Sequence, residues 1–119
     1  MFGKKDTVAT FGPGLVLNLV GEGTEIKGNI NSDGDIRIDG KITGDVITRS
    51  KLVLGASGII EGNVTANSSD ISGNVKGNMV ISDITYIKSS GSIEGDITTS
   101  KMIIENGGEF NGSCHMNGQ

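Results

Sequence analysis

Apolar and polar positions alternate along most of this chain in short bursts, and glycine breaks each burst. Six segments share one pattern: an apolar residue, any residue, glycine, a small polar residue, then a second, mostly apolar residue. They are Ile26-Lys27-Gly28-Asn29-Ile30, Ile42-Thr43-Gly44-Asp45-Val46, Ile60-Glu61-Gly62-Asn63-Val64, Val75-Lys76-Gly77-Asn78-Met79, Ile93-Glu94-Gly95-Asp96-Ile97 and Phe110-Asn111-Gly112-Ser113-Cys114. Their glycines lie 16, 18, 15, 18 and 17 residues apart. A further glycine (Gly40, Gly58, Gly73, Gly91, Gly108) closes each of the first five units after another apolar run, such as Ile36-Arg37-Ile38 or Leu52-Val53-Leu54.

A period of about 17 is too short for helix-pair solenoids, whose units run about 33–47 residues. It suits three short strands joined by sharp corners, with successive coils stacked as parallel strands about 4.8 Å apart. The predicted fold is all-β: a parallel β-helix, a triangular solenoid of about six coils, with a short disordered N-terminal tail. The expected interior holds Ile26, Ile30, Ile36, Ile38, Ile42, Val46, Leu52, Leu54, Ile60, Val64, Ile71, Val75, Met79, Ile93, Ile97, Met102 and Ile104. Around Ser69 and Thr85 the alternation is less clean. The outward positions agree with this register. Glu61, Lys76 and Glu94 would stack with alternating sign, and Asn29, Asp45, Asn63, Asn78, Asp96 and Ser113 would form a polar ladder.

Composition supports strands. Ile (16) and Val (8) outnumber Leu (5) and Ala (3), and β-branched side chains fit a pleated surface. Twenty glycines against one proline point to regular bends. A net charge of −4 gives no electrostatic footprint for nucleic acid. Cys114 is the only cysteine, so an internal disulfide is impossible, and a reducing, cytoplasmic setting is expected. The apolar stretch from Leu15 to Val20 is too short for a transmembrane helix.

With the repeat in view, the stretch from about Asn18 to Met116 resembles the bactofilins, bacterial polymer-forming cytoskeletal proteins. The resemblance rests on Gly23-Thr24-Glu25-Ile26-Lys27-Gly28 and on Gly34-Asp35-Ile36-Arg37-Ile38-Asp39-Gly40-Lys41-Ile42-Thr43-Gly44. It implies a right-handed β-helix over residues 18–116, between a flexible tail over 1–17 and a short tail over 117–119. It also implies end-to-end self-assembly without nucleotide into filaments at the inner face of the cytoplasmic membrane, where they would scaffold cell-shape or envelope processes. The partners implied are other copies of the chain, membrane lipids, and cell-envelope or morphogenetic proteins. Like-with-like contacts, giving a filament without polarity, are part of the same implication.

The residues give assembly an argument of their own. A β-helix ends in open coils with unpaired backbone groups, and the last coil offers Phe110, Cys114 and Met116. Leu15, Leu17 and Leu19 alternate as a strand expected to face the first coil, so Leu17 and Leu19 join the expected polymerisation interface. Met1, Phe2, Lys4 and Lys5 read as a membrane-binding segment, one apolar wedge with cations for anionic lipid. Catalysis has little support: His115 beside Cys114 lacks a third group to orient it, and no catalytic or metal site and no cofactor is expected. The rival enzyme, a hexapeptide-repeat acyltransferase, would keep stricter six-residue units. Asp33, Asp35 and Asp39 lack the bidentate Glu of a calcium loop. An ice-binding face would need a column of threonines, and Thr43, Thr65 and Thr98 are not expected to align.

Overall fold

The structure, a computed structural model, describes residues 7–10 and 16–116, with side chains from Asn18 onward. Nineteen strands account for nearly all of it. Strand β1 is Thr7–Thr10. The first coil holds β2 (Val16–Val20), β3 (Glu25–Lys27) and β4 (Ile30–Ser32). The second holds β5 (Asp35–Ile38), β6 (Lys41–Thr43) and β7 (Val46–Thr48), and the third β8 (Lys51–Leu54), β9 (Ile59–Glu61) and β10 (Val64–Ala66). Next come β11 (Ser68–Ile71), β12 (Asn74–Lys76) and β13 (Met79–Ile81), then β14 (Ile84–Ile87), β15 (Ser92–Glu94) and β16 (Ile97–Thr99). The sixth coil is β17 (Lys101–Ile104), β18 (Glu109–Asn111) and β19 (Cys114–Met116).

Every third strand pairs in parallel with its counterpart in the next coil, so three sheets form the sides of the solenoid. Sheet A runs β1-β2-β5-β8-β11-β14-β17, sheet B β3-β6-β9-β12-β15-β18, and sheet C β4-β7-β10-β13-β16-β19. Only β1 departs from the parallel rule, pairing antiparallel with β2. The expected six-coil, all-β solenoid is what the structure shows.

Alternation along each strand sends one set of side chains inward. Ile42, Ile60, Val75 and Ile93 stack in register on sheet B and are all fully buried. Ile38, Leu54, Ile71 and Ile87 do the same on sheet A. The core also takes Val20, Ala66, Ile81 and Ile87, which the apolar-glycine pattern does not mark. Thr48, Ser69, Thr85 and Thr99 are buried too. Two of these hydroxyls serve the corners. Thr48 Oγ1 donates to the Gly34 carbonyl at 2.7 Å, and Thr99 Oγ1 to that of Lys101 at 2.9 Å. At Thr48 and Thr99 a small polar residue thus stands where a corner carbonyl needs a donor.

The first glycine column explains why the repeat cannot do without glycine. Gly95 has φ +139°, and a Cβ there would run into the Gly77 carbonyl oxygen of the coil before. Gly44, Gly62, Gly77 and Gly112 meet the same obstacle from the glycine one coil earlier. The corner therefore stacks backbone on backbone. Beside it the polar ladder forms through the main chain: Asp45, Asn63, Asn78 and Asp96 donate their N–H groups to the side-chain oxygens of Asn29, Asp45, Asn63 and Asn78, at 2.9–3.3 Å. Lys76 lies in register between Glu61 and Glu94, as the charge pattern implies.

Candidate assembly faces

The two ends of the solenoid carry the incomplete chemistry. At the C-terminal end all three sheets finish on an edge strand, β17, β18 and β19, each presenting a row of unpaired backbone groups. The inward columns end there on Met102, Ile104, Phe110, Cys114 and Met116. One coil earlier the same columns hold Thr85, Ile87, Ile93, Ile97 and Thr99, all 0 % exposed. In the last coil Ile104 is 45 % and Met116 54 % exposed, Cys114 is exposed, and Met102 and Phe110 are half-buried. The Cys114 and Met116 sulfurs lie 3.6 Å apart. This end is an apolar platform. Sequence pattern finds Phe110, Cys114 and Met116 but assigns Met102 and Ile104 to the interior. Their place in the last rung of their columns is the signal that separates them.

Outside the platform the last coil is tied to the fifth. Tyr86 donates its hydroxyl to Glu105 Oε2 at 3.0 Å, and the Ser89 N–H donates to Glu105 Oε1. The hydrogen bond to Glu105, and its charge, push the Tyr86 phenol above its ordinary value. Lys88 sits over the Tyr86 ring, 4.4 Å from its centre.

The N-terminal end is different. Its inward columns begin with Asn18, Val20, Ile26, Ile30 and Ser32. Asn18 Nδ2 donates to Ser32 Oγ at 2.6 Å, which closes the corner between sheets A and C with a polar contact. Ile26 and Ile30 are half-buried against the core. Strand β1 adds a further rung on sheet A alone. Leu17 and Leu19, expected to face the first coil, lie on β2 itself. Leu17 pairs with Asp35 and Leu19 with Arg37, whereas Asn18 and Val20 pair with the inward Ile36 and Ile38. The burial of Val20 over Ile38 goes with this register. Leu15, Met1, Phe2, Lys4 and Lys5 lie outside the described residues.

Cys114 and His115 are strand neighbours, so they point to opposite faces: Cys114 follows the inward Ile97 column, and His115 the outward Thr98. The three acids at the second coil are each engaged separately. Asp33 pairs with Arg49, Asp35 accepts from the Ser50 hydroxyl and the Lys51 N–H, and Asp39 faces Arg37 at 3.0 Å. That carboxylate pushes the Arg37 guanidinium above its ordinary value, first by its hydrogen bond and then by its charge. Among the described residues no group of three or more His, Cys, Asp or Glu could hold a metal ion, and no helix is long and apolar enough to cross a membrane. Thr65 and Thr98 do share one outward column, but Ile47 and Val80 stand in it as well. Thr43 is on sheet B.

The family model for bactofilin, described as polymer-forming and cytoskeletal, matches residues 18–115. The chain belongs to the bactofilin family. The curated bactofilin BacN of Myxococcus xanthus (strain DK1622) is 49% identical over 98 residues, covering 82% of this chain and 87% of that protein. Two structures of Thermus thermophilus bactofilin, both 28% identical to this chain, share the fold. A cryo-EM reconstruction of double helical filaments matches with a TM-score of 0.78, covering 83% of this chain and 98% of that one. A crystal structure of a phenylalanine-to-arginine mutant matches at 0.70, covering 73% and 97%. This bactofilin is thus a member of a polymer-forming cytoskeletal family with the parallel solenoid of its relatives.

Proposed function

We infer that this bactofilin polymerises end to end without nucleotide, and that its C-terminal platform is the main contact. One observation carries the reading: columns that are buried from the second coil through the fifth emerge on Ile104, Phe110 and Met116 in the sixth. Burying a side chain such as Phe110 contributes on the order of 1.5–3 kcal/mol, and two platforms meeting would bury one from each partner. Open strand edges add backbone hydrogen bonds to the same contact. Like-with-like stacking, C-terminal end on C-terminal end, would alternate with contacts between N-terminal ends, where Leu17 and Leu19 lie close to the edge. The filament would lie on the inner face of the cytoplasmic membrane and scaffold cell-shape or envelope processes, recruiting envelope or morphogenetic proteins. Met1, Phe2, Lys4 and Lys5 would supply the lipid contact. Each cation near an anionic surface contributes about 1 kcal/mol, and a filament multiplies the weak single contact. No catalytic step is part of this function.

Phe110→Arg tests the assembly contact. The variant keeps the β-helix but stops at monomers or at dimers joined through N-terminal ends, as light scattering and negative-stain microscopy would show. Wild-type-length filaments from folded Phe110→Arg would exclude this face. Deleting residues 1–8 releases the protein from anionic vesicles and leaves filaments intact. Equal sedimentation of the deletion with liposomes would place the lipid contact elsewhere.

A further inference from the structure

Asn stands directly before Gly at three places in the chain: Asn106-Gly107, Asn111-Gly112 and Asn117-Gly118. The last lies outside the described residues, and the first forms an exposed turn closed by the Gly108 N–H on the Glu105 carbonyl. Asn111-Gly112 belongs to the glycine corner between sheets B and C. In the first five coils the N–H of that corner glycine is engaged. Gly28, Gly44, Gly62, Gly77 and Gly95 each donate, at 2.9 Å, to the carbonyl of the residue before the next coil's glycine. Gly112 is the last rung, and among the described residues no coil follows to supply its acceptor. The fold requires glycine there, because φ is +147° and a Cβ would run into the Gly95 carbonyl oxygen. The residue before the glycine is free to vary. It is Lys27, Thr43, Glu61, Lys76 and Glu94 in turn, and Asn only at position 111, where the side chain is exposed. The one Asn of this column thus adjoins the one corner N–H that no coil covers.

We propose that Asn111-Gly112 is a site of spontaneous deamidation, open in the subunit and protected in the filament, whose product bars the subunit from assembly. The protection rests on the end-to-end filament proposed above; the site itself does not. In the reaction the Gly112 backbone nitrogen attacks the side-chain amide carbon Cγ of Asn111. The bond from Cγ to its amide nitrogen breaks, and that nitrogen leaves as ammonia with the proton that Gly112 gives up. The result is a five-membered imide. Solvent water then opens the ring at either carbonyl, leaving aspartate or its β-linked isomer, and nothing is oxidised or reduced. Glycine suits the attacking position because it has no side chain to obstruct the approach. Ring closure turns the Asn111–Gly112 peptide plane. In the subunit one hydrogen bond holds that plane, from the Gly95 N–H to the Asn111 carbonyl. Pairing of the β18 edge in the filament adds a second, through the attacking N–H itself, and so slows closure. The product carries a new carboxylate in register with Glu94, and like charges side by side on a sheet repel. The β-linked isomer also lengthens the backbone of the edge strand beside Phe110, which breaks its register with any covering strand.

The test ages full-length wild type at mildly alkaline pH in three forms: denatured chain, dilute subunits shown by light scattering to be unassembled, and sedimented filaments. Peptide mapping by mass spectrometry, with the aspartate isomers resolved, follows position 111. Denatured chain reacts fastest, subunits follow, and filaments lag the subunits by about fivefold or more, the factor that one net hydrogen bond supplies. Aged subunits then lose the capacity to assemble, while aged Asn111→Gln, whose longer side chain does not close the five-membered ring, retains it. Circular dichroism checks that both remain folded. Position 111 left intact in subunits, over the time in which the denatured chain is converted, overturns the site. Equal rates in subunits and filaments overturn the protection, and equal loss of assembly in aged Asn111→Gln overturns the consequence. Wild type that forms no filaments at any concentration overturns the end-to-end reading and the protection with it, whereas conversion of Asn111 in those subunits still establishes the site.

Discussion

The two ends of the solenoid are built from the same five inward columns, yet they finish them in opposite ways. At the N-terminal end two of the columns begin with polar residues, Asn18 and Ser32, that satisfy each other across the corner. One sheet there continues into an antiparallel strand. At the C-terminal end the same columns finish on Met102, Ile104, Phe110, Cys114 and Met116, and all three sheets stop on open edges. A coil of this fold completes its core only when another coil covers it. The difference teaches that an identical repeat can be core in one place and an exposed apolar platform in another, depending only on whether a neighbour covers it.

The largest effect should separate a covered column from an uncovered one. Ile93 is 0 % exposed, and Phe110 is the next rung of its column. Ile93→Asp leaves a carboxylate without a partner in the core, a loss on the order of 5 kcal/mol against a total stability of about 5–15 kcal/mol. Circular dichroism should find it unfolded. Phe110→Arg, half-exposed in the subunit, should cost about 1 kcal/mol of subunit stability and retain the β-spectrum. Similar unfolding of both variants would erase the distinction between core and platform.

A smaller contrast concerns the glycine corner. Gly95→Ala places a side chain at φ +139° and against the Gly77 carbonyl, whereas a Cβ at Gly28, φ +143°, meets nothing within 4 Å, with no glycine rung before it among the described residues. The backbone term alone is about 1–3 kcal/mol and applies to both. Thermal unfolding should therefore show Gly95→Ala clearly below Gly28→Ala. Equal midpoints would mean that close stacking of the corner contributes nothing.

The smallest effect is a titration. The hydrogen bond from Tyr86 to Glu105 fastens the last coil to the fifth, and it raises the phenol above its ordinary value of 10.0. The folded state thus favours the protonated phenol. Its stabilisation is fully present below the unfolded value, and is lost as pH rises through the higher folded one. The advantage of wild type over Tyr86→Phe in unfolding midpoint should hold at neutral pH and shrink above about pH 10. A pH-independent difference would remove the link.

Much of this architecture was legible in the repeat itself. Spaced glycines and branched apolar residues determine the coil, and the columns through Ile42, Ile60, Val75 and Ile93 follow from counting. The pattern misled where local apolarity and register disagreed. Asn18 is polar, but pairing with β5 puts it, with Val20, at the head of an inward column. Thr48 and Thr99 look outward by polarity, yet corner carbonyls draw them inside. The platform residues Met102 and Ile104 match core positions in every local respect. What sets them apart is the absence of a covering coil among the described residues, a property of position in the stack rather than of residue type.

Cys114 offers the most direct test, because it is the only cysteine and lies on the platform. Its labelling by a maleimide reagent should be timed in free subunits, in filaments, and in Phe110→Arg. If C-terminal faces are covered on assembly, labelling in filaments falls by about an order of magnitude or more, since a contact of 1.4 kcal/mol already gives tenfold protection. The rate in Phe110→Arg should match that of free subunits. Filaments whose Cys114 reacts as fast as it does in free subunits would contradict the account.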